Sequence, residues 1–528
     1  MKTIFSKISI MAAAMGAIAL ASCYDDDGNY DYHDLDEVVI DTAGIDGMQD
    51  SYSIMRYDTL TIEPKIYFNG ALANDDSNYP LAYTWTIYSA STGVGVDYTV
   101  DTLSTTSVLD VPISREADTY YVLLTVLNTD DGTEQYCKWS LMVEESISAG
   151  WLLIYESADE PGTSDVGLVV NDYVKKNVIQ EREYWDLYKS GNGAHISGLP
   201  VRVMEPAIAL SVGDDPVFVQ TDEDFCGLNN ATFERILELE DMFYDAPEDL
   251  SLTYYGPRAV TGGGETVIVG NELYTSSFSS VTRNDYFGVA KVGDHGTLAP
   301  WANIMKTTSY FDAIVYDDTY KKFMCVNKSS IYYSEFASQD ATCPFDVNDV
   351  GMDFVASDWG RSFYDYFIMD KDDSRYLLSA NFYSSNSSST TVGKGLYDIS
   401  SATEIFDLTT MAMPYQGEFL VYGASNKVYC LRYAASDDSE VLWEADSEDE
   451  IVTCVRLQKY HYATIFLYGY IPNANQIMHI ATWNETTNEG KLYQYPVNQA
   501  SGIITGDPYI YTVPGKVSDM AWKYILEL

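Results

Sequence analysis

Phe311-Asp312-Ala313-Ile314-Val315-Tyr316 decides the reading of this chain, because the chain rewrites it. An acidic residue is followed by one spacer and a short apolar, β-prone run. The same signature stands at Asp215-Pro216-Val217-Phe218-Val219, Glu265-Thr266-Val267-Ile268-Val269 and Asp365-Tyr366-Phe367-Ile368-Met369. It returns at Glu418-Phe419-Leu420-Val421-Tyr422 and Asp519-Met520-Ala521-Trp522. Trp151-Leu152-Leu153-Ile154 and Ala463-Thr464-Ile465-Phe466-Leu467 share the apolar part without the acid. Successive copies lie roughly 45–65 residues apart, a period that marks a propeller or array. If the run at Ala521-Trp522-Lys523-Tyr524-Ile525 completes the first blade, the count is about seven blades of roughly 50 residues. The interval between the first two copies is the longest, which points to an insertion around Tyr184 to Gly198.

In such an array the innermost strand of each blade lines a central channel. Residues at one offset in each copy then form a ring. Asp215, Glu265, Asp312, Asp365, Glu418 and Asp519 precede their strands, so they are expected to crowd the channel mouth. Carboxylates brought close together raise one another's pKa or call in a cation. The functional reading is a site for a metal ion of unknown kind or for a cationic ligand group. The plainer reading leaves these acids solvated or accepting hydrogen bonds at turns.

At 528 residues the chain exceeds one compact core, and two or more domains are expected. Apolar residues make up 46%, with 45 tyrosines, which suits strands. The 79 Asp and Glu against 30 Lys and Arg give a formal charge of −49, which repels phosphate backbones, so nucleic acid is excluded as a partner. Seven cysteines are present. Cys137, Cys226, Cys325, Cys343, Cys430 and Cys454 show no zinc spacing. Most lie in apolar runs and read as buried free thiols; a Cys325–Cys343 bridge stays open.

Lys2 and Lys7 precede a short apolar region from Ile8 to Leu20, the pattern of a secretory signal. It ends in Leu20-Ala21-Ser22-Cys23, which resembles the bacterial lipobox. The resemblance implies that residues 1–22 are removed and that Cys23 is lipidated. Asp25, Asp26 and Asp27 follow, and resemble the surface-export signal of Bacteroidetes lipoproteins. Residues 23–37 read as an acidic flexible tether.

From 38 to 146 the pattern is short strands and turns. Leu81-Ala82-Tyr83-Thr84-Trp85-Thr86-Ile87-Tyr88 alternates, and Asp118-Thr119-Tyr120-Tyr121-Val122-Leu123-Leu124-Thr125-Val126 is a long core strand. Asp131-Gly132 is a strong hairpin signal. A Trp-bearing central strand suits an immunoglobulin-like sandwich, with Trp85 in its core. Tyr83-Thr84-Trp85, the 118–126 strand and Asp131-Gly132 are similar to the PKD pattern. With the lipobox and the long carboxy-terminal part, the chain resembles the PKD-like family lipoproteins of Bacteroidetes. The expected fold is therefore all-β: a PKD/Ig-like sandwich over 38–146, then a β-propeller-like domain over 147–528.

Catalytic signatures are sparse. No H-E-x-x-H and no G-x-S-x-G occurs, and the Gly-rich runs lack the pattern of a phosphate loop. No cofactor is expected. Few convincing helices are expected; Thr232 to Met242 is one short candidate, with Glu and Leu at helical spacing. Rings gather among polar residues at Tyr184-Trp185, at Trp359 with Phe363, Tyr364 and Tyr366, and at Trp483 with Tyr493 and Tyr495. Trp185, with Tyr184, is the preferred ligand platform, because it falls in the insertion, and insertions on a rigid scaffold gather binding residues.

The resemblance implies a lipid-anchored outer-membrane protein facing the cell exterior. Its role would be that of a non-catalytic accessory to a SusC/SusD-type importer, binding an oligosaccharide or a peptide. The alternatives are a surface hydrolase or lyase that uses carboxylates at the channel mouth, and a purely structural lid on the importer complex.

Overall fold

The computed structural model describes residues 36–523 apart from 46–47, 57, 92–98, 116, 145–148, 177, 179–180, 205–215, 258–264, 277–285, 304–309, 436–437, 460–472, 474 and 499. The signal, Cys23, Asp25 to Asp27, Asp215 and the run at Ala463 to Leu467 lie outside the described residues. The fold is all-β. Backbone contacts divide the chain into two units: Met1–Asp50, Thr59–Pro112 and Thr119–Ser140 form the first, and the rest forms the second.

In the first unit the long strands Leu81–Ser89 and Asp118–Asn128 pair antiparallel over their length, Trp85 opposite Leu124. Alternate residues of Asp118–Asn128 are buried, so one face meets a core and the other meets water. Trp85 is fully buried and stacks on Trp139 with ring centroids 5.4 Å apart. Its indole Nε1–H donates to the Thr106 carbonyl at 2.9 Å, which satisfies the polar edge that burial would otherwise strand. The turn after Asp118–Asn128 closes with the Asn128 N–H donating to Thr133 O. Gly132 there has φ +76°, and the Asp131 carboxylate accepts from the Thr133 N–H.

The second unit is a succession of antiparallel sheets, seven among the described residues. Their leading pairs are Gly150–Ser157 with Thr163–Val170, Pro200–Met204 with Val217–Thr221, and Leu252–Gly256 with Thr266–Val269. Leu298–Ala302 with Phe311–Asp317, Asp353–Trp359 with Asp365–Lys371, Thr410–Ala412 with Leu420–Ala424, and Glu450–Leu457 with Ile477–Asn484 follow. The strand Gly515–Lys523 returns to pair with Gly150–Ser157, Trp522 opposite Trp151.

The repeated signature occupies the second strand of its sheet, except at Asp519. Those second strands are largely buried, and wholly so in Val217–Thr221, Thr266–Val269 and Leu420–Ala424. The reason is that each sheet packs on two neighbours. Phe311, Ile314 and Tyr316 pack with Phe367 and Met369 of the next sheet. Ala313 and Val315 pack with Tyr254 and Ile268 of the preceding one. A strand with both faces covered needs apolar residues at every position, and each fully buried Ile or Val contributes about 1.5–3 kcal/mol. Trp151 and Leu153 of the first sheet pack with Ala481 and Leu492 of the seventh.

The helix expected over Thr232 to Met242 is not formed. Arg235–Glu238 is a strand on the edge of the second sheet, Cys226 opposite Glu238, and Glu240–Met242 is a single 3-10 turn. Sheet pairing outweighs the helical spacing of Glu and Leu. The segment read as an insertion carries the α-helix Leu187–Asn192. All six described cysteines are free thiols, so Cys325 and Cys343 form no bridge.

Candidate functional site

First strands of several sheets, together with the closing strand Gly515–Lys523, come together around a cavity of about 490 Å³. It is lined by Arg202 from Pro200–Met204, Tyr254 from Leu252–Gly256, Trp301 from Leu298–Ala302, and Asp358 and Trp359 from Asp353–Trp359. Arg456 from Glu450–Leu457, with Asp519 and Trp522 from Gly515–Lys523, closes the lining, and Lys459 and Asp365 contribute from beside these strands. Its volume falls in the range of small-ligand sites.

Three cations and three carboxylates line the cavity. Arg456 donates through Nη2 to Asp519 Oδ1 at 2.5 Å and through Nε at 3.1 Å. The other Asp519 oxygen accepts the Val203 N–H at 3.2 Å. Lys459 Nζ donates to Asp358 Oδ2 and to the Trp359 carbonyl, both at 2.5 Å, and stands 4.5 Å from the Trp359 ring centroid. Asp358 also accepts the Met413 N–H at 2.7 Å. Burial pulls the Lys459 ammonium below its ordinary pKa, against the pull of Asp358. Asp365 is buried, accepts from Asn303 Nδ2 at 2.6 Å, and is pushed well above the carboxylate range, chiefly by burial and further by Asp358. Arg202 is different. Among the described residues its one hydrogen bond is to a backbone oxygen, the Tyr255 carbonyl at 2.9 Å, and its guanidinium lies 4.6 Å from the Tyr254 ring centroid.

Behind the wall is a neutral polar network. Trp151 stacks on His479 at 3.5 Å, with the rings 7° from parallel. His479 Nδ1 lies 3.0 Å from Gln494 Nε2, and its Nε2 lies 3.1 Å from Gln458 Oε1. An amide NH₂ only donates, so Gln494 fixes Nδ1 as the acceptor and Nε2 as the protonated nitrogen. Burial pushes the imidazole pKa well below its ordinary value.

The carboxylate ring read from the repeat is not assembled. Asp365 and Asp519 reach the cavity, but Glu265 is buried outside its lining. Asp312 accepts the Ser329 N–H at 2.9 Å and has Lys328 Nζ 3.5 Å away. Glu418 is half-exposed and pairs with Arg361. A shared offset in second strands does not converge as a ring, because those strands stand mostly one removed from the lining, and Asp365 alone of the described second-strand acids reaches it. Register shifts, such as that between Phe311 and Ala313, rotate the offset further.

Trp185 and Tyr184 also lie outside the lining. The Trp185 ring occupies the space above Gly167, where a Cβ would stand 2.4 Å from it, and meets Tyr155 edge-on at 6.2 Å. Tyr184 packs on the core shared by the first two sheets. Trp359 is the member of the aromatic clusters that does face the cavity. Arg202, Arg456 and Lys459 carried no local signal; the scarcity of cations, 30 Lys and Arg against 79 Asp and Glu, is the clue that could have drawn attention to them.

Asp165, Asp186 and His195 present ligand atoms within 4.8 Å of one another, a spacing that a metal could use. Their contacts make them a structural knot instead. Asp165 accepts the N–H groups of Tyr188 and Lys189 at the start of the Leu187–Asn192 helix, at 2.9 and 3.2 Å. It also meets His195 Nδ1 at 2.7 Å. Asp186 accepts the Tyr155 hydroxyl at 2.9 Å.

Residues 23–200 match the model of the PKD-like family, so the chain carries a PKD-like domain. Comparison with curated proteins gives no match. Among solved structures, a quinonprotein alcohol dehydrogenase-like protein from Bacteroides thetaiotaomicron aligns over 92% of this chain and 96% of its own, at 11% identity and a TM-score of 0.38. The eight N-terminal immunoglobulin domains of the Down syndrome cell adhesion molecule align over 88% of this chain and 67% of theirs, at 10% identity and a TM-score of 0.15. Scores this low carry no argument about fold or function.

Proposed function

We propose that this protein is a lipid-anchored, cell-surface binding protein that captures a nutrient, an oligosaccharide or a peptide, for a SusC/SusD-type outer-membrane importer. In this reading Cys23 carries the lipid, Asp25 to Asp27 direct export, and the PKD-like domain spaces the binding unit from the membrane. The second unit is a seven-bladed propeller, supported by the return of Gly515–Lys523 to Gly150–Ser157 and by the packing of the seventh sheet on the first. One observation carries the binding role: a cavity lined by the first strands of several sheets, mixing aromatic rings with ion pairs already formed within its wall. Such a wall is preorganised to receive a ligand. A second reading, a surface hydrolase, draws on Asp365, an acid whose pKa is pushed up by burial and further by nearby Asp358.

The test is a glycan and peptide binding screen on the full mature chain, with the hits checked for cleavage. Capture without turnover supports the binding protein. Turnover that disappears in Asp365→Asn would move the assignment to the hydrolase. Absence of any ligand would remove both.

A further inference from the structure

Among the described residues, the ion pairs around the cavity do not use every cation. Arg456 is matched by Asp519 and Lys459 by Asp358. Asp365 is buried beside Asn303, and burial favours its neutral form. Arg202 is then the cation left without a carboxylate among the described residues. Its Nη1 is committed to the Tyr255 carbonyl, and its guanidinium carbon lies 4.6 Å from the Tyr254 ring centroid, within cation–π reach. The Tyr254 ring is itself held, since its hydroxyl donates to the Ala302 carbonyl at 3.3 Å. A guanidinium fixed in this way loses little freedom when it engages a planar oxyanion. Its unused N–H donors form the fork that carboxylates accept in pairs.

A guanidinium with no carboxylate partner among the described residues stands out in a chain of net charge −49. A neutral ligand would leave the guanidinium uncompensated once water is displaced, and desolvating an unpaired charge is costly. The rest of the lining suits a sugar. Trp522 is half-buried at the wall, its Nε1–H anchored on the Val174 carbonyl at 2.9 Å. Ring faces with hydrogen-bonding groups between them match the alternating apolar and hydroxyl faces of a pyranose.

We propose that the cavity selects an acidic oligosaccharide, one carrying a hexuronate whose carboxylate is received by Arg202. This deepens the binding-protein reading and rests on it. Arg202 is a specificity-determining residue in the proposal, while the rings and ion pairs supply binding common to charged and neutral sugars.

The experiment is calorimetric titration of the full mature chain with trisaccharides containing glucuronate, galacturonate or mannuronate. Each is paired with its methyl ester, which keeps the shape and removes the charge. Acidic, carboxy-terminal tripeptides form a third arm. At least one acidic sugar is expected to bind about tenfold tighter than its ester, the value of one charge-assisted hydrogen bond. Arg202→Met should bring acid and ester within about twofold of each other, while Arg202→Lys keeps part of the preference. Unfolding midpoints check that the variants fold; if Arg202→Met does not, the acid–ester comparison on the unaltered chain decides. Equal binding of acid and ester would overturn the inference and leave the cavity as a ligand site. Binding of the peptides alone would overturn the sugar class. If no member of any arm binds, the inference falls, while the binding reading is decided by the broader glycan and peptide screen.

Discussion

Asp519 joins three sheets at the cavity. It sits on Gly515–Lys523, accepts Arg456 from the seventh sheet on one oxygen, and accepts the Val203 N–H from the second sheet on the other. Its side chain is 7% exposed, and that of Arg456 is 36% exposed. Removing one partner of a fully buried pair costs about 3–5 kcal/mol. Water reaches Arg456, which lowers the expectation for Asp519→Leu to about 2–3 kcal/mol, including the stranded Val203 N–H. Arg456→Met should cost a similar amount, because the Asp519 carboxylate is the more buried partner. The double variant removes both charges and leaves neither unpaired. Its loss should be about 2 kcal/mol smaller than the sum of the single losses, the size of coupling seen for groups in one network. Urea unfolding followed by tryptophan fluorescence measures all four proteins. Losses that add to within about 0.5 kcal/mol would refute the clamp.

Three further outcomes are expected. The His479 pKa is lower in the folded chain than in the unfolded one, so the unfolded chain binds the extra proton and stability falls as pH drops below about 6.5. His479→Gln should flatten that fall by up to about 1.4 kcal/mol per pH unit, and identical pH profiles of the unfolding midpoint would rule it out. Trp85→Ala should cost the PKD-like domain about 3–5 kcal/mol through the lost stack on Trp139 and the cavity it leaves; thermal unfolding of the variant measures this. Cys23→Ala should move the protein from the membrane fraction to the soluble one, and retention in the membrane would count against the anchor.

What the chain disclosed before folding followed from burial. Phe311 to Tyr316 and its copies are legible because a strand covered on both faces must be apolar at consecutive positions, and that requirement is local. Trp85 was legible for the same reason, as a ring on an alternating strand. The cavity was not legible. Its walls come from strands such as Asp353–Trp359, which are only partly buried and carry mixed residues with no period to detect. The pairing of Arg456 with Asp519 spans 63 positions, and nothing local brings a guanidinium to that carboxylate. The acids of the repeat misled because equal spacing in sequence became equal depth in space only where the strand itself faced the cavity, as at Asp519. Sequence alone therefore determined which segments are interior strands and how often they recur, since apolar burial acts residue by residue. Only the tertiary structure decided which strands meet at the cavity, which charges pair there and that Arg202 has no carboxylate partner among the described residues. Those are properties of residues distant in the chain, joined by sheet pairing and by the packing of one sheet on the next.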